Sequence, residues 1–288
     1  MNKASSQKKY SLPIKLIFTD MDGSLLDHHS YSFKPAVEML DKLEIQGIPV
    51  IPITSKTKAE LLPLRKQLNN SHPFIVENGA AIYIPRNYFS RQPEASKTAG
   101  DFWVIENSAP REIWLQLLKD NSGEFSGEFQ SFDSVFKQHG VEGIAELTGL
   151  SSNIAKLANQ RGFSEPVHWT GTPVRKKLFV KKMQALGATV LQGGRFLGIG
   201  GDTDKGRALL QLQQLYLNEA LQKSCETLAI GDSGNDISML EQASTALIIK
   251  SDNHSPPKLT RSKNCSISIK TGPEGWAAGV ADWLKIHS

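Results

Sequence analysis

Cysteine is almost absent from this chain: Cys225 and Cys265 are the two in 288 residues. Two cannot form a disulfide framework for a chain this long, and their spacing matches no metal or redox motif. Charge of one sign is also scarce. The formal net charge of +4 creates no electrostatic requirement for nucleic acid and suits a small anionic substrate. No apolar run approaches membrane-spanning length. The stretch from Met1 to Tyr10 is polar, and the apolar run after it is short and carries Lys15, so no signal peptide is expected. The expectation is a cytoplasmic protein with no membrane or nucleic-acid partner; oligomeric state is left open. Hydrophobic residues at 39% and charged residues at 22% describe a soluble globular chain, long enough for two domains.

What is present begins at Ile14. The segment Ile14 to Thr19 is an apolar run interrupted by Lys15, the pattern of a strand buried in a parallel sheet. It delivers Asp20 and Asp22 at the strand's C-terminal end, where open α/β sheets bind their ligands. Neighbouring carboxylates repel and are expensive to desolvate without a cation. The pair therefore points to chemistry with a metal. Gly23 frees the backbone to turn away from the sheet, and Ser24 leaves a hydroxyl facing the same crevice. A calcium loop would need ligands at alternating positions and an acid at its twelfth, and the positions after Asp22 do not supply that pattern.

The pattern that follows is β, α, β, α, β. Helices are predicted at Pro35 to Gln46 and Thr57 to Leu68, strands at Ile48 to Thr54 and Phe74 to Val76. The turn Glu77-Asn78-Gly79 leads into a hairpin strand, Ala80 to Ile84. This is the opening of a doubly wound, Rossmann-like parallel sheet. Composition then changes. A loop-like stretch and a weak strand, Trp103 to Ile105, precede helices at Pro110 to Leu118, Ser152 to Asn159 and Pro173 to Leu186. Extended segments fall at Pro166 to Trp169, Ala188 to Leu191 and Phe196 to Ile199. We place an inserted α+β cap at residues 86–198, with the core formed by 1–85 and 199–288. In the core's second half a helix from Lys205 to Leu221 precedes the strand Thr227 to Ile230, and Gly231-Asp232-Ser233-Gly234-Asn235-Asp236 opens a helix to Gln242. Strands at Thr245 to Ile249 and Ser266 to Ile269 flank a polar loop, and a helix runs from Pro273 to Ile286. His28 and His29 read as exposed loop residues. Arg175, Lys176, Lys177, Lys181 and Lys182 read as the solvated face of a helix whose Phe179, Met183 and Leu186 point inward.

Four polar clusters fall at strand ends or helix starts: Asp20 with Asp22, Thr54, Lys205, and Asp232 with Asp236. In this order they resemble the four signatures of the haloacid dehalogenase superfamily of phosphatases. The resemblance implies an aspartyl-phosphate mechanism with Mg²⁺. Asp20 is then the nucleophile and a metal ligand, and Asp22 is the general acid and base, ligating metal through its carbonyl. Asp232 completes the metal ligands, Thr54 or Ser55 binds the phosphoryl oxygens, and Lys205 neutralises charge on both Asp20 and the phosphoryl group. Ser24, Asn235 and Asp236 support the metal shell and Lys205.

An insertion after the third strand, followed by a Lys-Gly-Arg-Ala-Leu helix, resembles the type IIB cap of the sugar-phosphatase branch. Thr54-Ser55-Lys56-Thr57, Glu77-Asn78-Gly79-Ala80, Arg161 to Pro166 and Gly193 to Leu197 resemble the mannosyl-3-phosphoglycerate phosphatases, over most of the chain from Leu16 to about Gly279. Gly198 stands where that family often has His. The resemblance implies a phosphorylated sugar-acid substrate, bound by Ser55, Lys56, Arg161, Ser164, Glu165 and Arg195. The arginines suit its carboxylate; Ser164 and Glu165 suit sugar hydroxyls. The competing readings are a glucosyl-3-phosphoglycerate or broad sugar-phosphate phosphatase, a phosphomutase of the same fold, or a sugar-phosphate sensor without catalysis.

Overall fold

The protein is described here from a computed structural model covering residues 13–193 and 195–286. The expected first strand is β1 (Ile14–Thr19); α1 (Val37–Ile45), β2 (Val50–Pro52) and α2 (Lys58–Gln67) follow. Next come β3 (Phe74–Val76) and β4 (Ala81–Pro85), joined by a tight turn at Glu77–Gly79, then β5 (Lys97–Ala99) and β6 (Phe102–Glu106). The middle of the chain forms α3 (Arg111–Asn121), β7 (Phe129–Ser131), α4 (Phe132–Thr148), α5 (Ser152–Ala158), β8 (Ser164–Trp169), α6 (Pro173–Ala185), β9 (Thr189–Gln192) and β10 (Phe196–Gly200). The last part forms α7 (Lys205–Glu219), β11 (Cys225–Gly231), α8 (Ile237–Gln242), β12 (Thr245–Lys250), β13 (Cys265–Thr271) and α9 (Gly272–Ile286).

Five strands make a parallel sheet in the order β13-β12-β11-β1-β2. β1 lies between β11 and β2, which pair with both its edges, and Leu16, Ile17 and Phe18 are fully buried. Their alternation sends Ile17 to one face, with Leu228, Ile230 and Trp276. Leu16 and Phe18 go to the other, with Ala229, Leu212 and Met239. Helices α1 and α9 cover the first face, α7 and α8 the second. This is the expected doubly wound α/β arrangement, and it explains why the strand reads as a continuous apolar run.

A second sheet, antiparallel in the order β3-β4-β6-β5, meets the first through a parallel bridge between Ile53 and Ile75. β5 and β6 lie within the segment assigned from sequence to the insertion, yet β6 pairs with β4 and β5 with β6. Burial is the reason: Trp103 and Ile105 pack with Ile82 and Ile84 in the cluster beneath the parallel sheet.

The third sheet, β7-β8-β10-β9, is antiparallel. On one face α3 and α6 pack through Trp114, Leu118, Phe179 and Met183 against Val167 and Leu197. On the other, Phe132, Val135 and Ile144 of α4 and Ala155 of α5 form a smaller cluster beside Phe196. Helix α4 has no counterpart in the sequence reading. Gly140, at φ +65°, kinks it in the middle, and Gly143 further weakens the helical pattern. Leu186, expected to point inward from α6, is 44% exposed because the helix ends at Ala185. Three of the five basic residues of α6 are engaged locally: Arg175 pairs with Glu128, Lys182 with Glu124, and Lys176 donates to Gln192.

Candidate active site

The register of the parallel sheet brings the acidic clusters together. Thr19 of β1 is level with Ile230 of β11, and the Asp20 amide donates to the Ile230 carbonyl at 2.8 Å. Asp20 and Asp232 therefore leave adjacent strands at one end. Gly23, at φ +76°, takes the chain past Asp232 so closely that a Cβ there would lie 2.6 Å from Asp232 Oδ2. A glycine is required both by the left-handed conformation and by the space.

Lys205 opens α7 and is fully buried. A cation at a helix N-terminus opposes the helix dipole, so nothing in α7 itself favours it. Carboxylates do: Lys205 Nζ donates to Asp20 Oδ1 at 2.6 Å and to Asp236 Oδ1 at 2.6 Å. Asp236 is held in turn by the amides of Asp232 and Ser233, each donating to Oδ2 at 3.0 Å. Burial works to lower the Lys205 pKa, but the carboxylates of Asp20 and Asp236 overcome it and raise it. The ammonium is locked in its charged form.

One ammonium does not balance this site. Oxygens of Asp20, Asp232 and Asp236 lie within 4.8 Å of one another. Burial pushes the Asp20 carboxyl well above the usual carboxylate range; Lys205 opposes the shift, while Asp236, Asp232 and Asp22 add to it. Asp232 is raised by burial and by Asp236, against His254. Asp22 Oδ1 and Ser24 Oγ are buried without a hydrogen-bond partner. Excess negative charge, unsatisfied oxygens and an all-oxygen donor set fit a hard divalent cation.

The second cluster arrives from β2. Thr54 is fully buried, and its Oγ1 accepts from the Lys56 amide at 3.1 Å. Lys56 Nζ reaches Asp22 Oδ2 at 2.8 Å. Thr57 caps α2 by accepting from the Glu60 amide, while Glu60 accepts from the Thr57 amide, a reciprocal pair that fixes the loop's exit.

The residues assigned to the sugar-acid are placed unequally. Arg161 and Ser164 line a cleft between the turn that joins β3 to β4 and the third sheet, with Glu77, Asn78, Thr189 and Thr203. Arg161 donates to the Ser55 carbonyl at 2.9 Å and to Ser164 Oγ at 3.0 Å. Glu165 is fully buried behind them. Its Oε2 accepts from Arg111 Nε at 2.6 Å and its Oε1 from the Asp133 amide at 2.7 Å, so both oxygens are committed to holding α3 and α4 together. Arg195 sits at the turn between β9 and β10 and donates to the Thr148 carbonyl; it does not line the cleft.

Three residues at the site escaped the sequence reading. His254, in the polar loop after β12, lies with Nε2 3.2 Å from Asp232 Oδ2; no spacing signalled it. Asn78 accepts from Asn235 Nδ2 at 3.0 Å. Glu77 accepts from the Gly162 amide at 2.8 Å and from Ser164 Oγ at 2.6 Å. Both lie in the turn read as a hairpin connection and as one of the segments of the family resemblance, with no role at the site assigned to either side chain.

Residues 17–122 and 184–256 match the haloacid dehalogenase-like hydrolase family. The chain belongs to this family. It is a hydrolase of the α/β fold described above, and the interruption of the match at 123–183 falls in the segment carrying α4, α5 and α6. Among curated relatives, it is 34% identical to a glucosyl-3-phosphoglycerate/mannosyl-3-phosphoglycerate phosphatase of Methanococcoides burtonii over 93% of this chain and 97% of that one. It is 33% identical to a mannosyl-3-phosphoglycerate phosphatase of Pyrococcus furiosus over 82% of this chain and 91% of the other. A solved phosphatase of the same superfamily from Bacteroides thetaiotaomicron superposes with a TM-score of 0.64 at 17% identity, covering 99% of both chains. That last likeness is one of fold. Among the described residues no helix is long and apolar enough to cross a membrane.

Proposed function

We propose that the protein is a Mg²⁺-dependent phosphomonoesterase that hydrolyses mannosyl-3-phosphoglycerate, or its glucosyl analogue, to the glycosylglycerate and phosphate. The observation that carries the chemistry is the buried Lys205 ammonium, 2.6 Å from Asp20 Oδ1. It fixes one carboxylate oxygen and leaves Oδ2 to attack. The substrate class is supported by relatives bearing those names and by Arg161 and Ser164 in the cleft beside the Glu77–Asn78 turn.

Asp20 and Asp232, with the Asp22 carbonyl, would hold the cation; when bound it supplies the positive charge a phosphate dianion needs before an anion can attack. Asp20 attacks phosphorus, the bond to the leaving oxygen breaks, and Asp22 gives that oxygen a proton. Asp22 then takes a proton from water as the water attacks phosphorus, and cleavage of the aspartyl-phosphate bond releases phosphate and restores Asp20. Thr54 donates to the phosphoryl oxygens, with Ser55 alongside, and Lys205 neutralises their charge. Asp236 keeps Lys205 aimed, Asn235 ties the acidic loop to Asn78, and Ser24, whose hydroxyl has no partner among the described residues, would support the metal shell. Lys56 and Arg161 face the substrate carboxylate. We place the specificity unit at the third sheet and its helices, with the catalytic unit formed by the other two sheets.

The test is phosphate release with Mg²⁺ from mannosyl- and glucosyl-3-phosphoglycerate, a panel of sugar phosphates and an aryl phosphate. A preference of about 10² or more in kcat/KM for the glycosyl phosphoglycerates supports the assignment, since paired donors that lose their carboxylate forfeit several kcal/mol. A flat profile reduces the activity to general phosphatase.

A further inference from the structure

The turn after β3 does more than reverse the chain. Glu77 and Asn78 both adopt left-handed backbone, φ +49° and +59°, a conformation that asparagine tolerates and glutamate rarely occupies. Strain of this kind persists only where the surroundings enforce it. Three sets of contacts do so here.

The first is the Glu77 carboxylate, which is nearly fully buried and reaches into the third-sheet unit. Oε1 accepts from the Gly162 amide at 2.8 Å; Oε2 accepts from the Phe163 amide at 3.2 Å and from Ser164 Oγ at 2.6 Å. Arg161 Nε lies 3.5 Å from Oε2. The second set is backbone: the Glu77 amide donates to the Lys56 carbonyl and the Asn78 amide to the Thr54 carbonyl. The third is the Asn78 side chain, which accepts from Asn235 of the loop between Asp232 and Asp236. Gly79 lets the turn press against the start of α7; a Cβ there would lie 2.3 Å from the Asp204 carbonyl oxygen. One strained turn thus touches the phosphoryl-binding loop, the acidic loop, the residue before Lys205, and the loop that walls the cleft.

We infer that Glu77 is a positioning residue that latches the Arg161–Ser164 loop onto the catalytic loops, so that binding of a substrate large enough to touch that loop is sensed at Thr54 and Asp232. The carboxylate suits this task, because two adjacent amides and a hydroxyl all converge on one charged acceptor and charge-assisted bonds are the strong ones. Releasing them weakens the loop's attachment and leaves more of it to the bond from Arg161 to the Ser55 carbonyl. The inference rests on the phosphatase reading for its kinetic consequence, but the latch itself is measurable without turnover.

The experiment compares the wild-type chain with Glu77→Gln by amide hydrogen exchange and by steady-state kinetics. The Gln side chain keeps the size but replaces one acceptor oxygen by a donor facing Ser164 or the two amides. Exchange at Gly162 and Phe163 is expected to accelerate about tenfold or more, as the opening free energy of the loop falls. KM for mannosyl-3-phosphoglycerate is expected to rise about tenfold, and kcat/KM for this substrate to fall at least about fivefold more than for an aryl phosphate. Glu77→Asp, which keeps the charge but shortens the reach, is expected to fall between the two and serves if Glu77→Gln does not fold. Unchanged exchange at Gly162 and Phe163 would overturn the latch. Equal losses on both substrates would also overturn it, making Glu77 a structural support. If the wild type turns over neither substrate, the phosphatase reading fails while the exchange data still decide whether the latch exists.

Discussion

Lys205 Nζ and Asp20 Oδ1 lie 2.6 Å apart with the lysine wholly removed from solvent. An ammonium buried between two carboxylates is held by them and also keeps them tolerable, so its removal should be costly twice over. Lys205→Met leaves Asp20 and Asp236 buried and unpaired, for which about 3–5 kcal/mol is the usual penalty. Urea denaturation should show a loss of that size, reduced when the neighbouring acids are also neutralised. A stability unchanged by Lys205→Met would mean that the ion pair does not organise the site.

Asp20→Asn should have the opposite profile. It removes the nucleophile, so kcat should fall by a factor on the order of 10⁴ or more. It also removes one charge from a crowded acidic cluster, so thermal stability of the metal-free protein should hold or rise. Appreciable residual turnover in the purified variant would exclude the covalent mechanism.

Divalent metal should stabilise the native protein as well as activate it. At about 100 times its dissociation constant, Mg²⁺ is expected to add about 2.7 kcal/mol to unfolding stability. Chelation should reverse this and stop turnover, and Asp232→Asn should blunt both effects. Calorimetry with and without Mg²⁺ reads the shift directly; identical melting curves would remove the metal from the site.

Asp22→Asn separates proton transfer from attack. Loss of the acid should lower kcat by about 10²–10⁴ on a sugar-acid phosphate, whose alkoxide leaves poorly without a proton. An aryl phosphate has a better leaving group and should lose less. Equal losses would assign Asp22 to metal binding or structure alone.

Arg111 and Glu165 give a prediction with a pH signature. Burial raises the Glu165 carboxyl above its ordinary range, against the pull of Arg111. A folded pKa above the unfolded one means a contribution to stability that is complete below the unfolded pKa and is lost as pH rises through the folded value. Arg111→Ala removes the counterweight and raises the folded pKa further. The deficit of the variant should therefore be about 3–5 kcal/mol near pH 7 and shrink as pH falls toward about 4, where the carboxyl is neutral in both proteins. Denaturation at several pH values measures it; a deficit independent of pH would show that packing, not charge, is lost.

How far the site could be read in advance follows from where its residues stand in the chain. Asp20, Asp22, Thr54 and Asp232 closely follow strands of the parallel sheet, and such strands advertise themselves as apolar runs because both faces are covered; Asp236 stands in the turn that opens the next helix. Asp20 and Asp232 needed only the neighbouring register of β1 and β11 to meet. Lys205 was legible as the start of α7, but its burial was not, because burial depends on two acids far away in sequence.

Glu165 shows the limit from the other side. Its residue type suited sugar hydroxyls, but the packing of α3 and α4 commits both of its oxygens elsewhere. Arg195 was chosen for its charge and lies at a hairpin turn against Thr148. β5 and β6 were assigned by chain position, and their pairing was decided by where Trp103 and Ile105 found apolar partners.

The amino-acid sequence by itself determined the alternating elements, the doubly wound sheet and the order of acids along its edge, since these follow from local periodicity and from residues adjacent to strands. Only the tertiary structure decided that Glu77 grips a loop 85 residues away, that His254 faces Asp232, and that Glu165 is a strut. Those roles arise from desolvation and hydrogen-bond partners that exist only after separate parts of the chain have docked.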